Sequence, residues 1–289
     1  MPRVARVAVG PHLLNAASGD RLSIDSPHGL IEVRRVRNHE EYAACERMSR
    51  EVWGVAERNI VPRELLLTMQ LNGGLVHGAF LPDQRLVGFC FAFAGVREGR
   101  LRLCSHQLGV VPRFRGDGIG IALKQAQKRD AIRLGYELIS WTFDPLEARN
   151  AYINLHHLGC VARLYDRDHY GTMEDELNRG LPSDRFEAEW WLRASRHAAI
   201  DTDVVLALAI GSDGRPERRA VALAGATAAM IQIPSDFQAV KRDDPELARR
   251  WRTESRAAFE AALEAGLIAV DFLRQGAYLM ARDEGNAGR

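Results

Sequence analysis

The stretch LGVVPRFRGDGIG, residues 108–120, holds three glycines within five positions and stands directly before an aliphatic run typical of a helix. Glycines this dense indicate a backbone that turns tightly or lets another group come close. The N-terminus of a helix offers N–H groups without intrahelical partners and a partial positive charge, and both attract anions. The stretch therefore predicts either a phosphate-binding loop or a plain strand-to-helix turn.

Two common phosphate-binding motifs fit this stretch poorly. The pattern GxxxxGK[ST] is absent, and the glycines are spaced GxGxG instead of the GxGxxG of dinucleotide-binding folds. Glu137 stands roughly where such a fold places its acidic residue. An antiparallel meander is predicted before the loop, however, where the dinucleotide fold requires a first parallel strand.

Hydrophobic periodicity predicts the order β-α-α-β-β-β-α-β-α-β-β up to residue 192. Short turns join the strand candidates 75–81, 85–95 and 100–111, which favours the antiparallel meander. A helix is expected over about 118–134, with Lys124 solvated, and a further helix over 147–158. The predicted fold class is therefore α/β (α+β), with a mixed, mostly antiparallel sheet flanked by helices.

The character of the chain changes after residue 195. A strand, an amphipathic helix that Asp244 caps and Gly266 ends, and two closing strands predict a smaller C-terminal α+β unit. The expected domains are an N-terminal arm over 1–29, a main domain over 30–195 and the smaller domain over 196–289.

The composition of the chain limits the kinds of binding partner that are expected. The chain has 289 residues, 46% of them hydrophobic, and a net charge of +1, so no global field favours nucleic acid or a membrane surface. Arg249, Arg250, Arg252 and Arg256 alternate with glutamates on the late helix, which indicates a solvated face rather than a nucleic-acid site. No apolar run reaches the length of a membrane-spanning helix. Four cysteines without a CxxC pair favour a reduced, cytoplasmic protein without a metal site.

Residues 108–120 match L-x-V-x-P-x-x-R-G-x-G-x-G and closely resemble the acyl-CoA signature of the GNAT superfamily of N-acyltransferases. Arg115, Gly118 and Gly120 occupy its core positions, [QR]-x-x-G-x-[GA]. The resemblance extends over about 31–193, because the order of strands and helices is that of the GNAT fold. The motifs SHxLGV and WTFDPLEARNA are similar to those of an uncharacterised bacterial branch with a similar C-terminal extension.

The resemblance implies an acyl-CoA co-substrate and no metal. In this family the N–H groups of the loop bind the CoA pyrophosphate, and a backbone N–H near Val110 faces the thioester carbonyl, where it stabilises the oxyanion. The implied cofactor-binding residues are Leu108, Val110, Arg113, Arg115, Gly116, Asp117, Gly118, Ile119, Gly120 and Asn150.

Proton transfer is assigned to three side chains. His106 stands where the family often places its general base, and histidine titrates in the required range. A β-bulge, common here in the family, would mix the two faces of its strand. The family pattern NxxAxxLYxxxGF puts Leu155 where the general acid, a tyrosine, should be, so Tyr152 and Asn154 are the substitutes. Asp144 is interpreted as a helix cap or as a contact for the acceptor's ammonium group.

The expected function is transfer of an acetyl or succinyl group from acyl-CoA to the primary amine of a small molecule, with amino acids as candidates. Some members of the similar branch are associated with N-acylamino-acid racemases. The alternative is an acyl-CoA-binding sensor or interaction protein with reduced catalysis, which the missing tyrosine favours. The smaller domain would either shape the acceptor pocket or bury its Trp251 face in a homodimer.

Overall fold

The computed structural model describes residues 21–53, 60–173, 175, 178–193 and 203–282. The chain forms two compact units, Met1–Tyr136 and Glu137–Arg289. Most of the predicted N-terminal arm, residues 1–20, lies outside the described residues. The predicted domain boundaries at 29/30 and 195/196 remain predictions.

The first unit is an antiparallel sheet whose strands follow one another in chain order. Helix α1 begins after Asn38, whose Oδ1 accepts the N–H of Glu41 over 2.9 Å, as the capping pattern predicts. The strands are β1 (Leu22–Ser26), β2 (Gly29–Arg35), β3 (Leu75–Phe80), β4 (Leu86–Arg97) and β5 (Arg100–Val110); the helices are α1 (His39–Trp53), α2 (Arg63–Leu71) and α3 (Ile119–Arg133).

Helix α3 packs on one face of this sheet. A Cβ added to Gly88 would meet side-chain atoms of Ile119 and Leu123, and the Sγ of Cys90 lies 3.9 Å from the carbonyl of Leu123. Since side chains alternate along a strand, Phe89 and its neighbours at odd positions of β4 point to the face opposite α3. The two faces of β4 and β5 therefore have different surroundings.

The second unit has a mostly antiparallel sheet in which β9 and β11 pair in parallel. Its strand order is β6-β8-β7-β12-β13-β11-β9-β10. The strands are β6 (Leu138–Phe143), β7 (Val161–Asp166), β8 (Arg185–Trp191), β9 (Val204–Ile210), β10 (Pro216–Arg218), β11 (Ala228–Gln232), β12 (Leu267–Leu273) and β13 (Ala277–Arg282); the α-helices are α4 (Ala148–Ala151), α5 (Phe237–Asp243) and α6 (Pro245–Glu264), and a π-helix spans Tyr152–His157.

The predicted fold class, a mixed and mostly antiparallel sheet flanked by helices, is confirmed. The expected helix over 118–134 is α3, one residue shorter at each end. The helix expected over 147–158 is interrupted, because α4 passes into the π-helix and the N–H of Leu158 bonds to the carbonyl of Ile153, five residues back. The expected Trp251 face is not available for a dimer, because Trp251 is fully buried within its own unit and donates to the carbonyl of Gly214.

Candidate active site

The glycine loop between β5 and α3 has a conformation that side chains resist. Gly116 and Gly118 have φ values of 101° and 80°, in the left-handed region, and a Cβ on either would meet no protein atom within 4 Å. Gly118 is the N-cap residue of α3, and no side chain caps the helix. The first turn of α3 therefore directs its N–H groups and its partial positive charge toward open space.

The third glycine of the motif differs from the other two. Gly120 is helical, and a Cβ there would lie 3.5 Å from the Cδ2 of Leu108, an ordinary contact. Leu108 thus packs under the first turn of α3 as part of the hydrophobic core. The strand and the loop are fixed to each other at this point.

Both predicted arginines of the loop have contacts within it. The Nε of Arg115 donates to the carbonyl of Val110 over 3.2 Å, and the guanidinium of Arg113 lies over the ring of Phe114 at 4.7 Å. Both arginines are exposed, whereas Phe114 is buried. The loop therefore keeps two solvent-facing positive charges beside the N-terminus of α3.

The predicted Asp117 adds a negative charge to the same loop. Its Oδ2 is buried and has no hydrogen-bond partner in the described part of the chain, and the Nε2 of His28 lies 3.9 Å away. His28 also contacts the ring of Phe114 edge-on at 4.7 Å. The turn between β1 and β2 thus supports the loop, and His28 is the group that can offset the carboxylate.

The pairing of β5 with β4 fixes the direction in which the N–H of Val110 points. The N–H of Val111 donates to the carbonyl of Val87 on β4 over 3.0 Å. Because successive residues of an antiparallel strand direct their backbone groups to opposite sides, the N–H of Val110 points away from β4.

A β-bulge interrupts the pairing of β5 with β4. Phe91 pairs with Gln107, and the next residue, Ala92, pairs with Ser105. His106 is therefore an extra residue of β5 with no counterpart on β4. A bulge, the condition under which the two faces of β5 would mix, is present at the predicted base.

The bulge changes which side chains share a face. Ser105 faces α3, where Lys124 bonds to its Oγ, and Leu108 also faces α3. In a regular strand, two residues on the same face are separated by an even number of positions, whereas Ser105 and Leu108 are separated by three. His106 and Gln107 must therefore both lie on the face opposite α3.

His106 is partly exposed beside two phenylalanine rings. Its ring centroid lies 5.4 Å from that of Phe91 and 6.3 Å from that of Phe93, both edge-on. Burial of part of the ring lowers the pKa of His106 below its ordinary value. The imidazole is therefore neutral at pH 7 and can accept a proton, as a general base must.

The prediction that Lys124 is solvated is wrong. Its side chain is buried, and its Nζ lies 2.8 Å from the Oγ of Ser105 and 3.5 Å from the Oε1 of Gln127. The sequence did not reveal this, because three buried polar positions on α3, at 124, 127 and 130, replace the apolar stripe that periodicity analysis looks for. Lys124 connects the helix of the glycine loop to the residue that precedes the bulge.

The last of these positions, Asp130, holds a buried ion network together. It lies 2.9 Å from the Nε2 of His77 and 3.0 Å from the Nε of Arg35. Burial alone would raise the pKa of Asp130, but the hydrogen bonds from His77 and Arg129 hold it well below its usual range. Burial lowers the pKa of His77, so its imidazole remains neutral. The network fixes α3 on β2 and β3.

The remaining predicted catalytic residues belong to the second unit. Asn154 is buried in the π-helix, and Asn150 is exposed on α4. The hydroxyl of Tyr152 accepts a hydrogen bond from the Nε of Arg274 over 3.2 Å, and its ring stacks on His156 with 4.7 Å between centroids. Arg274 therefore leaves the hydroxyl proton of Tyr152 free for donation. Leu155, at the family's tyrosine position, is buried.

The interpretation of Asp144 as a helix cap is wrong, because the N-cap residue of α4 is Glu147, and the main partner of the Asp144 carboxylate is a cation of the protein. Its Oδ1 accepts the N–H of Leu146 over 2.8 Å, and both its oxygens bond to the guanidinium of Arg252, at 2.9 and 2.6 Å. Arg185 also lies 3.7 Å from its Oδ2. The carboxylate is thus already neutralised within the second unit.

The interpretation of the late helix as a solvated arginine face is wrong for two of its arginines. Arg252 is only 3% exposed and pairs with Asp144, and Arg256 binds both oxygens of Asp184 at 2.8 and 2.7 Å. Arg249 does lie at the surface, paired with Glu246. These two ion pairs leave no local pattern in the sequence, because their partners lie about 70–110 residues away in the chain.

Two absences hold for the described ranges. They contain no cluster of three or more histidine, cysteine, aspartate or glutamate side chains suited to a metal ion. In the same ranges, no helix is both long and apolar enough to span a membrane.

No protein-family model matches the chain, and no curated protein matches it either. Its fold is similar to solved structures. The structural neighbours include a GNAT-family acetyltransferase. That protein, from Streptococcus pneumoniae, is 13% identical, covers 55% of this chain and 98% of its own, and has a TM-score of 0.46.

Two further neighbours have named acceptors or ligands. The ribosomal-protein-S18-alanine N-acetyltransferase of Escherichia coli is 12% identical, with 59% of this chain and 99% of that chain covered and a TM-score of 0.44. Arabidopsis thaliana Naa50, in complex with the bisubstrate analogue CoA-Ac-MVNAL, is 16% identical over 55% of this chain and 97% of that chain, with a TM-score of 0.43. At such identities a likeness concerns the fold, and function depends on the site itself.

Proposed function

We propose that the protein is an acyl-CoA-dependent N-acyltransferase of the GNAT type, acting on the primary amine of a small molecule. The observation that carries this proposal is the glycine loop together with the bulge. A helix N-terminus that follows two glycines in the left-handed conformation suits the CoA pyrophosphate. The strand that enters the loop carries a partly exposed and neutral histidine, His106, ten residues before Gly116.

The residues of the loop take distinct roles toward CoA. N–H groups from Gly118 to Gly120 bind the pyrophosphate, and exposed Arg113 and Arg115 add positive charge. Asp117 adds a negative charge that opposes the phosphate, and the Nε2 of His28 lies 3.9 Å from its Oδ2. Ile119 is buried and anchors the loop rather than touching phosphate through its side chain.

The reaction begins when His106 takes one proton from the acceptor's ammonium group. The amine nitrogen then attacks the thioester carbonyl carbon, and the N–H of Val110 stabilises the oxyanion. The nitrogen passes its second proton to solvent water as this intermediate collapses and the C–S bond breaks. The CoA thiolate takes up a proton from Tyr152, or from water, so that amide and free CoA leave.

Acetyl-CoA and succinyl-CoA are the proposed donors, and amino acids are among the proposed acceptors. A panel of the twenty L-amino acids, ethanolamine, spermidine and n-butylamine, tested with each donor for release of CoA thiol, measures the activity. We expect turnover with at least one pair. Mass spectrometry of the acyl-CoA that copurifies identifies the donor independently.

His106→Ala tests the mechanism. We expect turnover to fall at least roughly tenfold, because a positioned general base contributes about that or more. CoA affinity should stay within about twofold, because His106 lies away from the glycine loop. Unchanged turnover would remove His106 from the mechanism.

The second candidate is an acyl-CoA-binding sensor with reduced catalysis. It is favoured by one observation, the buried Leu155 at the family's tyrosine position. Tight binding of CoA without turnover of any pair in the panel would establish the sensor and exclude the enzyme.

A further inference from the structure

Gln107 carries a buried polar atom that the protein leaves without a partner. Its Oε1 is buried and has no hydrogen-bond partner among the described residues. Such an oxygen loses its hydrogen bonds to water on folding and gains none in return, which destabilises the folded state. Unpaired buried polar groups are uncommon, and each calls for a specific explanation, such as a role in catalysis.

The bulge places this side chain beside the proposed base. Gln107 lies opposite Phe91 in the pairing of β4 with β5, and residues directly opposite each other share a face. The ring of His106 contacts the same Phe91. If β5 were a regular strand through these residues, Gln107 would share the α3 face with Ser105, so its position depends on the bulge.

The side chain of Gln107 as a whole is only half-buried. The terminal torsion of a glutamine is broad. The amide can therefore turn its oxygen toward a group that approaches the exposed imidazole of His106. Phe91 and Phe93, which flank that imidazole, are apolar and offer no competing hydrogen bond.

We propose that Gln107 is a specificity-determining residue whose amide oxygen accepts an N–H of the acceptor amine. This inference rests on the proposed function and names how that site selects its nucleophile. A primary ammonium group has three N–H bonds, so it can give one proton to His106 and still donate to Gln107. An alcohol has one O–H, and once His106 takes that proton the oxygen of Gln107 remains unpaired. A site built to pair with an N–H rejects a nucleophile that lacks it.

Gln107→Met tests this proposal, because methionine keeps the length of the side chain and removes the amide. We expect the KM for the fastest amine of the panel to rise about tenfold, which corresponds to about 1.4 kcal/mol of lost binding. CoA affinity should stay within about twofold, and the melting temperature should be unchanged or higher, because an unpaired buried atom is removed. Gln125→Met, at an exposed position of α3, is the matched control and should behave as wild type.

Gln107→Glu separates recognition from packing, since a carboxylate also accepts an N–H. We expect the KM of Gln107→Glu for the amine to stay low, as in the wild type. A purely structural role would instead raise the KM of both variants alike. Wild-type KM and kcat in Gln107→Met, or an equally high KM in both variants, would overturn the proposal and leave the proposed function intact.

A binding experiment keeps the inference testable if the wild type acylates no amine of the panel. The side-chain amide signal of Gln107 is followed by NMR in the CoA-bound protein while n-butylamine or, as a control of the same shape, n-butanol is added. A shift with n-butylamine alone supports the proposal even where turnover is absent. No shift with n-butylamine, or equal shifts with both compounds, overturns it.

Discussion

Replacing Gly118 with alanine should weaken CoA binding as well as the fold. The φ of Gly118 is 80°, so a Cβ there costs about 1–2 kcal/mol of folding free energy. The added methyl group meets no protein atom within 4 Å and so projects into the space assigned to the pyrophosphate. We expect CoA affinity to fall at least tenfold, equivalent to about 1.4 kcal/mol or more.

Gly135, at the other end of α3, provides the matched control. Its φ of 86° imposes the same strain on alanine, and its Cβ would also meet nothing within 4 Å. Thermal melting should show similar losses for Gly118→Ala and Gly135→Ala. Isothermal titration with CoA should show a loss for Gly118→Ala only. Equal CoA affinities in the two variants would refute the assignment of the glycine loop to the pyrophosphate.

Three further outcomes follow from buried charges. Arg252→Met leaves the carboxylate of Asp144 without its main partner and should lower the free energy of unfolding by about 3 kcal/mol in urea, against less than about 1 kcal/mol for exposed Arg249→Met. The pKa of His77 in the folded protein lies below the ordinary value of about 6.5. As the pH falls below that value, the unfolded chain therefore binds a proton that the folded chain does not bind. Stability should therefore fall as the pH drops below about 6.5, and urea titrations of His77→Gln should show a shallower fall, whereas an unchanged pH slope would contradict the burial argument. Lys124 should react with an amine-directed acetylating reagent at least roughly tenfold more slowly than the chain's other two lysines until the protein is unfolded, as peptide mass spectrometry can measure.

The order of strands and helices was predictable because each element has its own local signal. The capping pattern at Asn38 and Glu41 fixed the start of α1, and Asp244 with Pro245 fixed the start of α6. Both are short-range hydrogen-bond patterns that the sequence shows directly. The π-helix had no such signal.

Only those parts of the candidate site could be predicted that are formed by residues close together in the sequence. The glycine loop shows itself in its glycine spacing, and His106 in its place before that loop. Gln107 was missed because its face depends on a one-residue bulge, and the length of a strand does not reveal one. Lys124 and Arg252 were misinterpreted because their partners, Ser105 and Asp144, are brought near by the fold.

Helix α6 makes the predicted C-terminal domain a poor candidate for removal or exchange. A chain ended at residue 195 would lose the guanidinium groups that neutralise Asp144 and Asp184, and also Phe259, whose ring packs 4.8 Å from that of Phe186. Asp144, Asp184 and Phe186 all belong to segments before residue 195. The shortened chain would therefore expose an apolar surface and two unpaired carboxylates. The C-terminal segment is thus an obligate part of the protein.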